Sequence, residues 1–250
     1  MIKLLNIFLL FNYFICFSCT SYLNKKCIIS NIKMNNALLD HSELPRFSDI
    51  KVNEIQNDIE MLIKKTNNDF EEYENTLADN INYNSIIERN EEILFPLEYS
   101  WGIVSHLNGV KNSDELREAY QKCQPQMITL YNKMEQSKKL YDALNLLIEA
   151  NELDDTQHRI VNSMIKSMKL GGVGLEDTEK DKFNDINLKL AKLSTTFSNN
   201  VLDSIKEYEL LLTDKKDVEG LPESALLLYS QQAGNNSTLE EGPWKITLDM

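Results

Sequence analysis

The longest uninterrupted pattern in the chain runs from Glu176 to Lys216, a span without Gly or Pro. Apolar residues recur there at Phe183, Ile186, Leu190, Leu193, Phe197, Val201, Ile205, Tyr208 and Leu212. Every step is three or four residues, so the spacing predicts one α-helix with a continuous apolar stripe. At about 1.5 Å per residue such a rod is roughly 50 Å long. It needs neighbours along the whole stripe, because each large apolar side chain left in water forfeits about 1.5–3 kcal/mol. Ser198-Asn199-Asn200 interrupts the seam near its middle. Its amides read as structural groups bonding neighbouring helices rather than as substrate contacts.

The same periodicity organises what precedes the rod. After an extended Leu44–Ile50 segment, Val52, Ile55, Ile59, Leu62 and Ile63 share a helical face, which should end near Asn67-Asn68-Asp69. A second helix is predicted from about Asn84 toward Leu107, with Ile86, Ile87, Ile93 and Leu94 apolar and Pro96 kinking or interrupting it. Gly109 then marks a turn, and Asn112 with Glu115 has capping-box spacing. The helix starting there should end before Pro125, and another should carry Met127, Leu130, Tyr131, Met134, Tyr141, Leu144 and Ile148. A further helix from about Asp155 should bury Ile160, Val161, Met164, Ile165 and Met168, and stop at Gly171-Gly172-Val173-Gly174. That turn reads as a helix C-cap; a phosphate loop would need a preceding strand and a fuller glycine pattern. Beyond the rod, Asp214–Glu219 is a charged turn and a short helix follows through Tyr229. Gly242–Asp249 alternates in polarity and is the one convincing strand candidate. Its backbone groups lack a predicted partner, so the chain reads as cut off at Met250. The fold class is all-α (mainly α), with that C-terminal strand left unpaired.

Composition supports this reading. Eight Gly and five Pro in 250 residues are too few for a turn-rich β fold. The net charge of −13 conceals an asymmetry: residues 1–39 contain four lysines and no acid, and the other 22 basic residues face all 39 acidic ones, a net −17. A body that acidic repels nucleic-acid backbones and anionic membranes, so neither is expected as a partner.

Residues 1–22 carry one lysine, an apolar run from Leu4 to Phe17, and small residues at Ser18, Cys19, Thr20 and Ser21. These are the three regions of a signal peptide, with an apolar core too short for a membrane span. Residues 23–38 hold lysines, Asn and Ser without acids and read as a transit-like leader. Together they suggest an organelle, a plastid before a mitochondrion. The alternatives are secretion, or a cytosolic product if Met34 is the true start. Three of the four cysteines fall in this leader, so Cys123 alone in the body excludes an intramolecular disulfide framework. Asn235-Asn236-Ser237-Thr238 is a tandem glycosylation sequon, by itself a weak signal.

Candidate chemistry is sparse. His41, His106 and His158 are the only histidines, and no two stand at i,i+4. A His-Glu-x-x-His motif, a metal-binding Cys pair and a Gly-x-Ser-x-Gly elbow are all missing from the sequence. His106 reads as a capping or packing residue and His158 as a surface one. Asp154-Asp155 and Glu240-Glu241 fit helix starts or solvated loops. No residue of this chain is assigned as catalytic, cofactor-binding or metal-ligating.

Four stretches carry a family resemblance. Ser105-His-Leu-Asn-Gly-Val-Lys-Asn-Ser-Asp-Glu-Leu-Arg-Glu-Ala-Tyr120, Phe197-Ser-Asn-Asn-Val-Leu-Asp203, Gly220-Leu-Pro-Glu-Ser-Ala-Leu226 and Gly242-Pro-Trp-Lys-Ile-Thr-Leu-Asp249 resemble the N-terminal part of the oligopeptidase A and thimet-type metallopeptidases. In order and spacing they are most similar to the plant organellar branch. The resemblance implies that residues 39–250 are the helical N-terminal region of a zinc oligopeptidase. It implies two helical lobes around a channel that admits short peptides, with the rod as a spine bordering that channel. It also implies a zinc-activated water held by a His-Glu-x-x-His helix and a downstream Glu, all in a C-terminal catalytic region that this sequence lacks. The implied partners are short peptides, including spent targeting peptides, and that missing region; the implied full enzyme is a monomer. The 250-residue segment alone is expected to be inactive. The competing reading is a non-catalytic helical protein, derived from such a peptidase, that binds peptides or a partner.

Overall fold

The computed structural model describes residues 36–248. The signal-like residues 1–22 and residues 23–35 of the transit-like leader lie outside the described residues. Residues 36–38, assigned from sequence to the end of that leader, are packed against the body. Ala37 and Leu38 are buried, and the Leu38 carbonyl accepts a hydrogen bond from Ser100 Oγ at 2.8 Å.

The described elements, in chain order, are α1 (Val52–Thr76), α2 (Arg89–Val110, entered through a π-helical turn at Asn84–Glu88), α3 (Asp114–Glu135), α4 (Lys138–Glu149), α5 (Asp155–Leu170), α6 (Asp177–Glu207), β1 (Glu209–Leu212), α7 (Glu223–Ala233) and β2 (Trp244–Thr247). They form two compact units, one ending at Leu188 and one starting at Lys189, so α6 contributes to both.

The first unit is a helical assembly in which α1 packs on α2 and α3. The α1 stripe is Ile55, Ile59, Leu62, Thr66, Phe70 and Tyr73, all buried. It runs straight past Asn67-Asn68-Asp69, where the sequence predicts a stop. Those residues lie off the stripe, and burial of Phe70 and Tyr73 beyond them outweighs a few tenths of a kcal/mol of weak helix propensity at each. Tyr73 donates its hydroxyl proton to the Ile86 carbonyl at 2.6 Å, and burial pushes this phenol well above its ordinary value. A polar seam joins α1 to α3 and its C-terminal cap: Lys133 Nζ donates to Asn67 Oδ1 at 2.7 Å and also reaches Glu71, and Ser137 Oγ donates to Glu74.

Prolines fall inside two helices. Pro125 does not end α3, as the spacing around it predicts; the helix continues to Glu135. Proline in a helix interior costs about 3 kcal/mol. Here the buried row Leu116, Ala119, Cys123, Met127, Leu130 and Met134 continues on both sides of it. The break comes instead at Gln136-Ser137, where Ser137 Oγ accepts from Leu140 N at 3.1 Å and starts α4. The N-cap of α3 is likewise Ser113, accepting from Leu116 N at 3.3 Å. Asn112, the cap predicted from sequence, instead donates back to the Asn108 carbonyl at 2.8 Å. Pro96 is accommodated within α2, whose Ile93, Leu97, Ser100, Ile103, Val104 and Leu107 are buried.

Helix α5 begins with a full capping box between Asp154 and Gln157 and buries Val161, Ile165 and Met168. Ile160, expected in that row, is exposed. The helix ends at Gly171-Gly172, and Gly172 takes the left-handed conformation (φ 92°) that redirects the chain toward α6. The first turns of α6 are tied to α3 by amide pairs: Gln136 with Asn184 at 2.8 Å, and Asn187 with Asn132 at 3.0 Å.

In the second unit the predicted rod gives way to a strand. Helix α6 ends at Glu207, and Glu209–Leu212 pairs antiparallel with Trp244–Thr247, with Leu210 opposite Ile246 and Leu212 opposite Trp244. The C-terminal strand therefore has a partner, contrary to the expectation that it is left unpaired. The apparent truncation loses that structural ground. Tyr208 and Leu212 continue a helical spacing, but in β1 the backbone groups of both strands are satisfied together. A Lys245–Glu209 ion pair crosses the ladder, and α7 packs on β2. Trp244, 1% exposed, is the large buried side chain of this unit. Gly242, at φ 68°, lies against its ring, and a Cβ there would come within 2.7 Å of the indole carbons.

Candidate functional site

Three features hold side chains that chemistry could use. The first surrounds His41, which the segment preceding α1 sets against α2. Its ring meets Phe95 and Tyr99 edge-on, with centroids 6.0 and 5.2 Å away. Its Nε2 lies 3.0 Å from Ser100 Oγ. Ser100 gives its single hydroxyl proton to the Leu38 carbonyl, so in this contact His41 Nε2–H donates and the serine accepts. The pair therefore cannot work as an imidazole activating a serine, which needs the hydroxyl proton aimed at the ring. It latches the chain before α1 onto α2.

Burial holds the His41 imidazole below its ordinary value of 6.5, and Asp40, itself paired with Arg46, opposes that shift only in part. Between those values the unfolded chain binds more protons than the folded one, so stability increases with pH. The contribution is intact above 6.5 and is lost as pH falls toward the folded value. The expected result is a urea midpoint that declines as pH drops below 6.5, and declines less in His41→Gln. Asp40, whose carboxyl is lowered chiefly by hydrogen bonds from Ser42, acts in a separate window below 3.8.

The other histidines do not join it. His106 is exposed with its ring against Phe47 at 5.5 Å, a packing contact, and His158 bonds Asn162 on the surface of α5. Cys123 is fully buried, and burial pushes its thiol up to about 11, so it is protonated and inert at neutral pH. Among the described residues no three His, Cys, Asp or Glu side chains come together as a metal-holding group. The zinc implied by the resemblance does not fit the residues described here.

The second and third features are clefts in the second unit. One, of about 410 Å³, is lined by Phe197, Asn200, Val201, Ser204 and Ile205 of α6 with Leu248. None of these lining side chains ionises near neutral pH, so the cleft presents an uncharged, largely apolar wall. The amides flagged in the sequence separate here: Asn199 is buried and Asn200 lines the cleft. Ser204 was not legible as a lining residue, because nothing in its spacing departs from an ordinary polar helix position. The other cleft, of about 600 Å³, is bounded by the Asp214–Glu223 loop, Leu226, Leu239, Glu240 and Trp244. Its two lysines, Lys215 and Lys216, sit among four carboxylates and make no one-signed field.

Around the first cleft the stripe of α6 is open. Leu190, Leu193 and Phe197 are 51%, 67% and 68% exposed, and Leu248 at the cleft is exposed as well. These are large apolar side chains at successive turns of one helical stripe, each more than half exposed, and they form an open apolar row rather than scattered surface residues. Among the described residues no helix is long and apolar enough to cross a membrane.

Comparison with known proteins places these helices. Residues 59–180 match the family model "Neurolysin/Thimet oligopeptidase, N-terminal domain". The chain is 36% identical over 222 residues to the probable cytosolic oligopeptidase A of Arabidopsis thaliana, covering 86% of this chain and 31% of that protein. It is also 36% identical over 222 residues to the organellar oligopeptidase A, chloroplastic/mitochondrial, of the same plant, covering 28% of it. The oligopeptidase A of Haemophilus influenzae is 35% identical over 205 residues, 30% of its length. The chain spans about three tenths of the length of the curated relatives it matches. The resemblance read from the four motifs is the one these comparisons show, to the N-terminal part of the thimet and oligopeptidase A-type peptidases.

Proposed function

We infer that this chain is the N-terminal helical region of an oligopeptidase A-type peptidase, and that the whole protein hydrolyses peptide bonds in short peptides, including spent targeting peptides. The observation that carries the reading is the similarity over 205–222 residues to oligopeptidase A proteins of a plant and a bacterium, at 35–36% identity. In this reading the reaction is a zinc-dependent hydrolysis. The zinc ligands belong to sequence beyond the described residues, and the part described supplies walls rather than chemistry. The open stripe on α6 supports it: a region accounting for the remaining length of the relatives would cover that face. A plant relative named as chloroplastic/mitochondrial supports an organellar location for this chain.

The uncharged lining of the α6 cleft favours one alternative, a non-catalytic protein that binds peptides or a partner. Two measurements separate the readings. Transcript sequence downstream of the Met250 codon should encode a His-Glu-x-x-His helix; a natural stop there leaves the binding protein. The purified 250-residue chain should not cleave a quenched peptide with or without added zinc. Zinc-dependent turnover by that chain would overturn the assignment of its residues as non-catalytic.

A further inference from the structure

The tandem sequon is the one motif that the peptidase reading leaves unused, and the structure gives it a specific setting. Asn235 and Asn236 are both exposed, at the tip of the turn that follows α7. Gly234, at φ 105°, ends that helix and throws the chain outward. The turn is closed by a backbone hydrogen bond from Ser237 N to the Gly234 carbonyl at 3.1 Å, and the chain just after it is pinned by two more between Thr238 and Gly242, at 3.2 and 3.0 Å. The two hydroxyls of the sequon are not equivalent. Ser237 Oγ donates to the Pro243 carbonyl and is held against the turn. Thr238 Oγ1 accepts from Glu241 N at 3.0 Å, which leaves its own proton uncommitted. A substituent on an asparagine at this tip displaces no packed side chain, and surface turns are where such bulk is tolerated.

We propose that Asn236 is an N-glycosylation site, modified as the chain passes through the secretory lumen. The co-reactant is a lipid-pyrophosphate-linked oligosaccharide. The Asn236 side-chain nitrogen forms a bond to the sugar C1, the C1–oxygen bond to the lipid pyrophosphate breaks, and one amide proton leaves; nothing is oxidised or reduced. Thr238, not Ser237, supplies the hydroxyl of the acceptor triplet, so a single glycan is carried on Asn236 rather than on Asn235. The proposal rests on the signal-like reading of residues 1–22, which brings the chain to the lumen.

The test is translation of the full 250-residue chain with endoplasmic-reticulum microsomes, scored by protease protection and by N-glycosidase-sensitive mobility. The expected product is protected and carries one glycosidase-sensitive step. That step disappears in Asn236→Gln and in Thr238→Ala and persists in Asn235→Gln and in Ser237→Ala. A protected chain without the step, or a step that survives Asn236→Gln, overturns the proposal. A chain that is not protected defeats the leader reading instead. In that case the same chain with an unrelated cleavable signal in place of residues 1–22 tests Asn236 on its own, with the same two overturning results.

Discussion

Replacing Phe70 by alanine is expected to remove about 3–5 kcal/mol from the first unit, which brings it close to its unfolding midpoint where its total stability is near the lower end of roughly 5–15 kcal/mol. Phe70 is fully buried on the α1 stripe, with Tyr73 5.9 Å away ring to ring. It holds the last turns of α1 past the three polar residues that would otherwise end the helix. The far-UV circular dichroism midpoint in urea measures the loss. Glu72→Ala, on the exposed face of the same turn, should move that midpoint little. Equal effects from the two substitutions would show that the stripe is not what keeps α1 helical there.

Trp244→Ala should be as damaging to the second unit, again about 3–5 kcal/mol, because that indole is its one large fully buried side chain among the described residues. Hydrogen exchange at the amides of Glu209–Leu212 should then accelerate toward the unfolded rate, since β1 is held through its pairing with β2. Trp244→Phe is the informative control. The indole Nε1–H is buried without a hydrogen-bond partner, so phenylalanine gives up ring area while removing an unsatisfied donor, and most of the protection should remain. Persistent protection in Trp244→Ala would mean that strand pairing, rather than the indole, organises this unit.

Both residues show what could be read from the sequence. The helices were legible wherever an apolar row was counted without interruption, as for α5 and the body of α6. Errors arose where local signals were allowed to overrule that row. Asn67-Asn68-Asp69 and Pro125 are unfavourable inside helices by tenths to about 3 kcal/mol, yet Phe70, Tyr73, Met127 and Leu130 lay beyond them on the same faces. Tertiary burial decided both cases. The strand at Glu209–Leu212 was hidden for the opposite reason. Its leucines extend the helical spacing of α6, and only a partner 32 residues or more away makes the extended form better. A short apolar run does not reveal that by periodicity. As to the candidate site, Asn199 and Asn200 announced themselves by breaking the stripe, but which of them lines the cleft depends on the helix's neighbours. The Ser100–His41 latch joins residues 59 apart and leaves no local mark.

The open stripe on α6 also has a colloidal meaning. The body that carries it has a net charge near −17, so two copies approaching through that face feel repulsion that reaches about 8 Å at physiological ionic strength and only about 3 Å at 1 M salt. Hydrophobic attraction is not screened in the same way, and strongly hydrated salts strengthen it. Solubility of the isolated chain is thus a contest between a screened and an unscreened force, and salt moves it toward self-association. Light scattering should rise with added sulfate well before any loss of helical signal.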